Sequence, residues 1–298
     1  MGADICNFAD DNTLHMSAIR LDVLMSKLEC AVQMAIDWFE YNGMKPNSSK
    51  CHLLVCGHKF ESMIAKIGNE HVIETHSVKL LGMTIDSELN FEHHMDLICR
   101  KASKKLNALS RQCNILPFYR RKNLMNAFFD SQFSYCPLVW MFHNRSINER
   151  INKLQYRALR MIYQDDNSEF DELLLKNGSV KIHQQNLQTL CIEMFKVING
   201  LAPSFMQDIF STNKNLEDGN ISSNTRSQSQ FYNPSNPKKV NTGLETLRCL
   251  GPKIWDKVPN DIKNAASLSI FKNKIRKYTF SNCPCRLCRQ YVPNLGYI

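Results

Sequence analysis

The segment DICNFADDNTLHM, residues 4–16, decides the fold of the first quarter of the chain. Two short runs, residues 4–8 and 13–16, flank the turn-rich tetrapeptide Ala9-Asp10-Asp11-Asn12, which predicts a tight hairpin with an acidic tip. Adjacent carboxylates repel each other unless a cation neutralises them, so Asp10 and Asp11 are candidate ligands of a divalent metal ion. The alternative is ordinary turn chemistry, because Asp and Asn favour turns without any metal.

Helical and extended patterns follow the hairpin. Apolar residues recur at helical spacing from Ile19 to Phe39 and Gly43 follows them, which predicts one long helix over residues 17–42. Further strands are predicted at residues 52–56, 72–75 and 78–85, and further helices at residues 95–109, 124–133, 151–162, 187–198 and 268–278. The expected fold class is therefore α+β, predominantly helical.

The composition excludes several classes of protein. The chain has 298 residues, 43% of them hydrophobic, but no stretch of the roughly 20 apolar residues that a membrane helix needs. Its 12 Cys are mostly scattered singly, unlike the dense framework of a small secreted protein. We expect reduced thiols and an intracellular protein, in the cytoplasm or the nucleus, that does not associate with membranes.

Positive charge is concentrated in the middle of the chain. The formal net charge is +9, and residues 98–160 hold 13 basic side chains against 2 acidic ones. Phe118, Tyr119, Tyr135, Trp140 and Tyr156 are interleaved with them, a combination that suits a phosphate backbone with exposed bases. A solvated helical face is the alternative interpretation. The residues predicted to contact nucleic acid are Lys101, Lys104, Lys105, Arg120, Arg121, Lys122, Arg157 and Arg160.

A cysteine cluster lies near the C-terminus. Cys283, Cys285 and Cys288 are close enough in sequence to share a metal ion, and thiolates are ligands that Zn²⁺ prefers. A fourth ligand must come from elsewhere, and His183 and Cys249 are both candidates. The alternative is three free thiols.

Three spaced motifs, taken in order, resemble one protein family. Phe8-Ala9-Asp10-Asp11, then GMKPNSSKC at residues 43–51, then VKLLGMTID at residues 78–86, are similar to successive motifs of the reverse transcriptases of non-LTR (LINE-type) retrotransposons. Residues 250–255, LGPKIW, resemble the C-terminal region of these proteins. The resemblance is strong to about residue 90 and looser beyond it.

This resemblance implies an RNA-directed DNA polymerase that uses two metal ions, Mg²⁺ or Mn²⁺, and acts on an RNA template, a DNA primer and a dNTP. In such an enzyme Asp10 and Asp11 would ligate metal, and Lys50 would approach the triphosphate. The implied substrate-binding residues are Phe8 and Ala9 beside the metal site and Leu80, Leu81 and Gly82 at the primer strand. For the last three, an ordinary buried strand with a Gly bulge is the alternative.

One departure from the family pattern limits what the chain is expected to do. The remaining catalytic carboxylate of the family lies on a strand well upstream of the hairpin, whereas only nine residues precede Asp10. We therefore expect a fragment that does not polymerise by itself; the alternatives are a non-catalytic module that grips RNA or an RNA–DNA duplex, and a structural helical protein. The expected organisation is a partial palm at 1–90, a basic helical thumb at 91–165, a helical connection at 166–210, a flexible loop at 211–243 and a C-terminal region at 244–298.

Overall fold

The computed structural model describes residues 3–57, 62–68, 70–211, 230–231, 246–281 and 283–288. The fold is α+β with small antiparallel sheets, as the sequence predicted. The chain divides into two compact units, with the boundary between His94 and Met95. Within the described residues, no helix has the length and apolar character that crossing a membrane requires.

The first unit contains three separate hairpins and one long helix. The strands are β1 (Asp4–Phe8), β2 (Asp11–His15), β3 (Ile64–Ile67), β4 (Glu70–Ile73), β5 (Ser77–Leu80) and β6 (Met83–Asp86), and each pairs antiparallel with its immediate neighbour in sequence. Helix α1 spans Leu21–Tyr41, and its side chains pack on a small core that includes Met25, Leu53 and Ala65. Every position of β1 is exposed, so the first hairpin contributes little to that core.

The strand predictions need three corrections. Asp11 pairs with Phe8, so the first turn is the two-residue Ala9-Asp10 rather than a tetrapeptide. The strand predicted over residues 78–85 is two strands, because Leu81 and Gly82 both take a positive φ and reverse the chain. The strand predicted at residues 52–56 is wrong: Leu53 forms only an isolated bridge with Glu74.

The second unit is helical. Its helices are α2 (Glu92–Ser110, which starts in the first unit), α3 (Phe118–Met125), α4 (Ser131–Phe133), α5 (Pro137–Trp140), α6 (Arg145–Tyr163), α7 (Phe170–Asn177), α8 (Ile182–Ile198), α9 (Phe205–Ile209), α10 (Leu247–Asp256), α11 (Asn260–Lys263) and α12 (Leu268–Lys277). A π-helical turn, Asn126–Asp130, joins α3 to α4. The wider turn interrupts the regular α-helical ladder, and such turns often occur at functional sites.

The core of the second unit is aromatic and centres on α8, α10 and α12. The Trp255 ring lies 5.7 Å from that of Phe231 and 5.8 Å from that of Phe271, and its Nε1 donates to Gln230 Oε1 at 2.9 Å. Most of the loop predicted at 211–243 lies outside the described residues. Phe231, however, belongs to that segment and is buried in the core, where its ring makes an edge-to-face contact with the Trp255 ring.

Candidate metal centre and basic helical surface

One cluster of side chains in the second unit can hold a metal ion. His183, Cys283, Cys285 and Cys288 each offer one ligand atom, and these atoms all lie within 4.8 Å of one another. In a tetrahedral zinc site, two sulfurs each about 2.3 Å from the ion are about 3.8 Å apart. A contraction of about 1 Å or less therefore converts this arrangement into a bound geometry.

The local sequence explains how the thiols converge. The Cys288 backbone N–H donates to the Cys285 carbonyl at 3.1 Å, so a single turn brings these two side chains together. Inside that turn, the Arg286 guanidinium donates to the carbonyl oxygens of His143 at 3.1 Å and Phe142 at 2.6 Å. These bonds anchor the cysteine turn to the segment that follows α5.

Two glutamines of α8 hold the chain that leads into the cluster. Gln184 Nε2 donates to the Phe280 carbonyl and its Oε1 accepts from the Phe280 N–H, both at 3.0 Å. One turn further along α8, Gln188 Nε2 donates to the carbonyl oxygens of Arg276 at 3.2 Å and Tyr278 at 3.0 Å. Residues 276–280 therefore lie along α8, and the chain delivers the cysteines to His183 in its first turn.

The electrostatics of the cluster favour a thiolate. Hydrogen bonds from the Cys283 and Cys285 thiols lower the pKa of Cys288 to about 4, while the pKa of Cys283 is raised because its proton is held by its neighbours. His183 Nε2 lies 3.4 Å from Cys285 Sγ, and His183 Nδ1 is buried without a hydrogen-bond partner among the described residues. The contact with the Cys285 sulfur therefore places His183 Nε2 inside the cluster.

These observations confirm that the cysteines form a metal-capable cluster with a fourth ligand. Of the two candidates from the sequence, His183 joins the cluster and Cys249 does not, within the part of the chain that the structure describes. Cys249 is instead a buried residue of α10. The sequence could not choose between them, because a ligand about 100 residues away is placed by tertiary packing alone.

The two carboxylates of the acidic hairpin, Asp10 and Asp11, are not part of a comparable cluster among the described residues. Asp10 lies in the exposed turn and Asp11 begins β2 beside Phe8, while Ala9 takes a φ of 53°, a left-handed conformation that costs an L-residue roughly 1 kcal/mol. Among the described residues, no third Asp, Glu, His or Cys completes a metal-binding group with the two carboxylates. Lys50 is exposed in a 3₁₀ turn, and the described hydrogen bonds and ion pairs do not join it to either carboxylate.

The residues expected at the primer strand lie in and beside the second two-residue turn. Leu80 ends β5 and is half-buried, while Leu81 and Gly82 form the exposed turn with φ values of 46° and 86°. A positive φ at Gly82 is easy because glycine has no Cβ, whereas the same conformation at Leu81 is strained. A bulky side chain is thereby presented at an exposed turn.

A basic surface lies along α2 and α6. The Asp96 carboxylate pairs with Arg150, and Asn107 Oδ1 accepts from Arg157 at 2.7 Å, so the two helices run side by side in the same direction. Asp96 and Asn107 are eleven positions apart, about 16 Å along a helix. Exposed cations of α2 and α6 lie on or beside the helix faces that make these two contacts. We call this surface the basic seam; its cations are Arg100, Lys104, Arg150, Lys153 and Arg157.

The cations predicted from charge alone occupy several environments. Lys101, Lys104, Arg120 and Arg157 are exposed, and Lys105, Lys122 and Arg160 are half-buried. Lys105 lies over the Phe128 ring at 5.7 Å, and Arg120 over the Tyr119 ring at 5.2 Å. Arg160 pairs with Asp166 at 2.6 Å.

Arg121 was wrongly assigned to the nucleic-acid surface. Its side chain is buried and donates to the carbonyl oxygens of Cys113 at 3.3 Å and Leu116 at 3.2 Å, so it holds the connection between α2 and α3. Conversely, Arg100, Arg150 and Lys153 belong to the seam but were not among the predicted contacts. Arg100 follows Asp96 by four positions on α2, a same-face spacing that could have identified it. Arg150 and Lys153 lie on another helix, and tertiary packing alone brings Arg150 to Asp96.

No protein-family model, no curated protein and no solved structure matches this chain.

Proposed function

We propose that this chain is a nucleic-acid-binding protein that grips RNA or an RNA–DNA duplex through the basic seam, in the manner of the thumb of a non-LTR reverse transcriptase. The observation that carries the proposal is the alignment of the seam cations on two parallel helices joined by the Asp96–Arg150 and Asn107–Arg157 contacts. On α6 the seam cations Arg150 to Arg157 span seven positions, about 10 Å along the helix, and a row of exposed cations neutralises successive phosphates and releases their counterions.

Aromatic side chains in the same unit support this assignment. Phe118 and Tyr119 begin α3 and are 44% and 57% exposed. Exposed rings next to cations such as Arg120 provide stacking surfaces for unpaired bases.

We further propose that the metal held by His183 and the three cysteines is Zn²⁺ and that its role is structural. A Cys₃His set is soft and can fill all four positions of a tetrahedral ion, leaving none open for a substrate. When bound, the ion would fasten the cysteine turn to the first turn of α8 and stabilise the native state by its binding free energy.

The zinc proposal is tested by the metal content of the purified chain. Mass spectrometry under native conditions should give one Zn²⁺ per chain, and Cys285→Ser should reduce this to near zero. Cys136→Ser is the matched control, because Cys136 is exposed and outside the cluster. Loss of zinc from the control, or retention of one zinc in Cys285→Ser, would contradict the assignment.

A second candidate function is RNA-directed DNA synthesis itself, with RNA template, DNA primer, dNTP and Mg²⁺ or Mn²⁺. It is favoured by the exposed Asp10-Asp11 tip and the strained Ala9 that presents it, since backbone strain is often retained where it serves a site. Two-metal catalysis needs further ligands, however, so we expect the chain alone to bind nucleic acid without extending a primer.

The two functions are separated by one experiment. A fluorescein-labelled RNA–DNA hybrid is titrated with the chain at several salt concentrations, and primer extension is assayed in the same samples with Mg²⁺ and all four dNTPs. Salt-sensitive binding without extension is the expected result. Extension that Asp10→Ala abolishes would favour the second function, and the absence of binding at 50 mM salt would exclude both.

A further inference from the structure

A pocket with both polar and apolar walls lies apart from the metal centre and the basic seam. It opens where the π-helical turn Asn126–Asp130 and α4 face α8, and its volume is about 410 Å³, within the range of small-molecule sites. Its walls carry amide, hydroxyl and carboxylate groups, and none of its described lining residues is Lys or Arg. A phosphate entering it would meet a carboxylate without a compensating cation. The pocket therefore suits an uncharged ligand with polar edges.

Asn186 is the first observation that points to a ligand. The residue is only 3% exposed, it lines the pocket, and its Nδ2 has no hydrogen-bond partner among the described residues. A buried amide with unpaired N–H groups destabilises the fold unless something accepts from it. A carbonyl oxygen on a bound ligand would supply that acceptor.

Asp130 offers hydrogen-bond acceptors, whereas Asn186 offers a donor. It ends the π-helical turn, and its carboxylate makes no hydrogen bond or ion pair within the residues that the structure describes. The residue is exposed at the rim of the pocket, and partial desolvation of its carboxyl group raises the pKa of Asp130 to about 6. At neutral pH it is ionised and offers two oxygens as acceptors.

We infer that this pocket receives the Watson–Crick edge of an unpaired guanine base, with O6 accepting from Asn186 and with N1–H and the N2 amino group donating to Asp130. Guanine alone among the four RNA bases places two adjacent donors beside a carbonyl, which matches a carboxylate in a bidentate, charge-assisted contact. Proteins commonly read RNA through bases that leave the stack in this way. The inference rests on the proposed function, because it adds base selectivity to the same nucleic-acid ligand.

The test uses guanosine, a nucleoside without phosphate, so that the basic seam contributes nothing to binding. Guanosine, inosine and adenosine are titrated into the full chain by saturation-transfer difference NMR. Inosine lacks the N2 amino group and is expected to bind at least about tenfold more weakly than guanosine, since it forfeits a charge-assisted hydrogen bond. Adenosine is expected to bind no better than inosine. Equal binding of all three, or no guanosine binding at millimolar concentration, would overturn the inference.

Two variants identify the residues responsible. Asp130→Asn should weaken guanosine binding by tenfold or more and remove the preference over inosine, whereas Asp208→Asn, an exposed carboxylate of α9, should change neither. Asn186→Leu should remove binding while leaving the chain folded, because it replaces an unpaired buried amide with an apolar side chain of similar size. Full guanosine affinity in Asp130→Asn would refute the assignment.

Titration of the RNA–DNA hybrid with the same preparation separates the two proposals. If guanosine fails to bind while hybrid binding remains salt-sensitive, only the guanine site is excluded. If guanosine binds and the hybrid does not, the proposed nucleic-acid function is excluded and the pocket remains a nucleoside site.

Discussion

The basic seam makes a quantitative prediction about salt. Lys104 on α2 and Lys153 on α6 are exposed and form no ion pair among the described residues, so each is available to a phosphate. For single-stranded nucleic acid, log affinity falls against log salt with a slope of about −0.7 per neutralised phosphate. Because Arg150 is paired with Asp96, four seam cations are available to phosphates; the slope is then about −2.8, and the double variant Lys104→Ala/Lys153→Ala should have a slope of about −1.4.

The difference between the two slopes has a measurable size. Raising salt from about 50 to 200 mM should weaken the wild-type chain about sevenfold more than the variant. The assay is fluorescence anisotropy with a labelled 20-nucleotide RNA. Lys253→Ala/Lys277→Ala is the matched control, because both lysines are exposed and lie on α10 and α12, away from the seam. An equal change of slope in both double variants would show that total charge acts, and the reasoning from the seam would be refuted.

Three further predictions concern the fold. Gly251→Ala should destabilise the chain by about 1 kcal/mol or more in urea unfolding, because the new Cβ would lie 2.6 Å from the Phe210 ring and overpacking outweighs the gain in helix propensity. Hydrogen bonds from Ser168 lower the pKa of Asp165 to about 2, so the ionised carboxylate stabilises the fold. The loss in free energy of unfolding caused by Asp165→Asn should therefore be largest above pH 4 and should disappear as the pH falls to 2. A loss that does not change with pH would contradict this. Burial raises the pKa of Cys99 to about 11, so iodoacetamide at pH 8 should modify the exposed Cys136 and spare Cys99 in the native chain, as peptide mass spectrometry can check.

Local patterns in the sequence predict the local elements well. The apolar spacing after Ile19 predicts α1 to within a few residues, and the turn-rich Ala9-Asp10 segment predicts the first hairpin. The β3 strand was missed because Ile64–Ile67 is too short to show an alternating pattern. The Leu81-Gly82 turn is hard to identify, since leucine rarely adopts the conformation it has there.

The candidate sites show where sequence reasoning stops. Short spacing alone predicts that Cys283, Cys285 and Cys288 share a metal, whereas the choice of His183 depends on the way residues 276–280 lie along α8. Charge alone included Arg121 among the exposed cations, although its guanidinium satisfies buried carbonyl oxygens. The type of a residue indicates which bonds it can form, but only the fold determines which partner it has.

The start of α8 connects the candidate metal cluster with the helix α6 of the basic seam. Gln155, a buried residue of α6, donates to the Val180 carbonyl at 3.0 Å and accepts from the Ile182 N–H at 3.2 Å. On the next residue, His183 faces the cysteine turn. The segment that begins α8 is therefore held both by α6, which carries three of the five seam cations, and by the contact of His183 with the cysteine turn. The same short segment is bonded to Gln155 of α6 and to the cysteine turn. Binding of a metal ion would therefore also stabilise the contact between this segment and α6, and with it the position of Arg150, Lys153 and Arg157 along the seam.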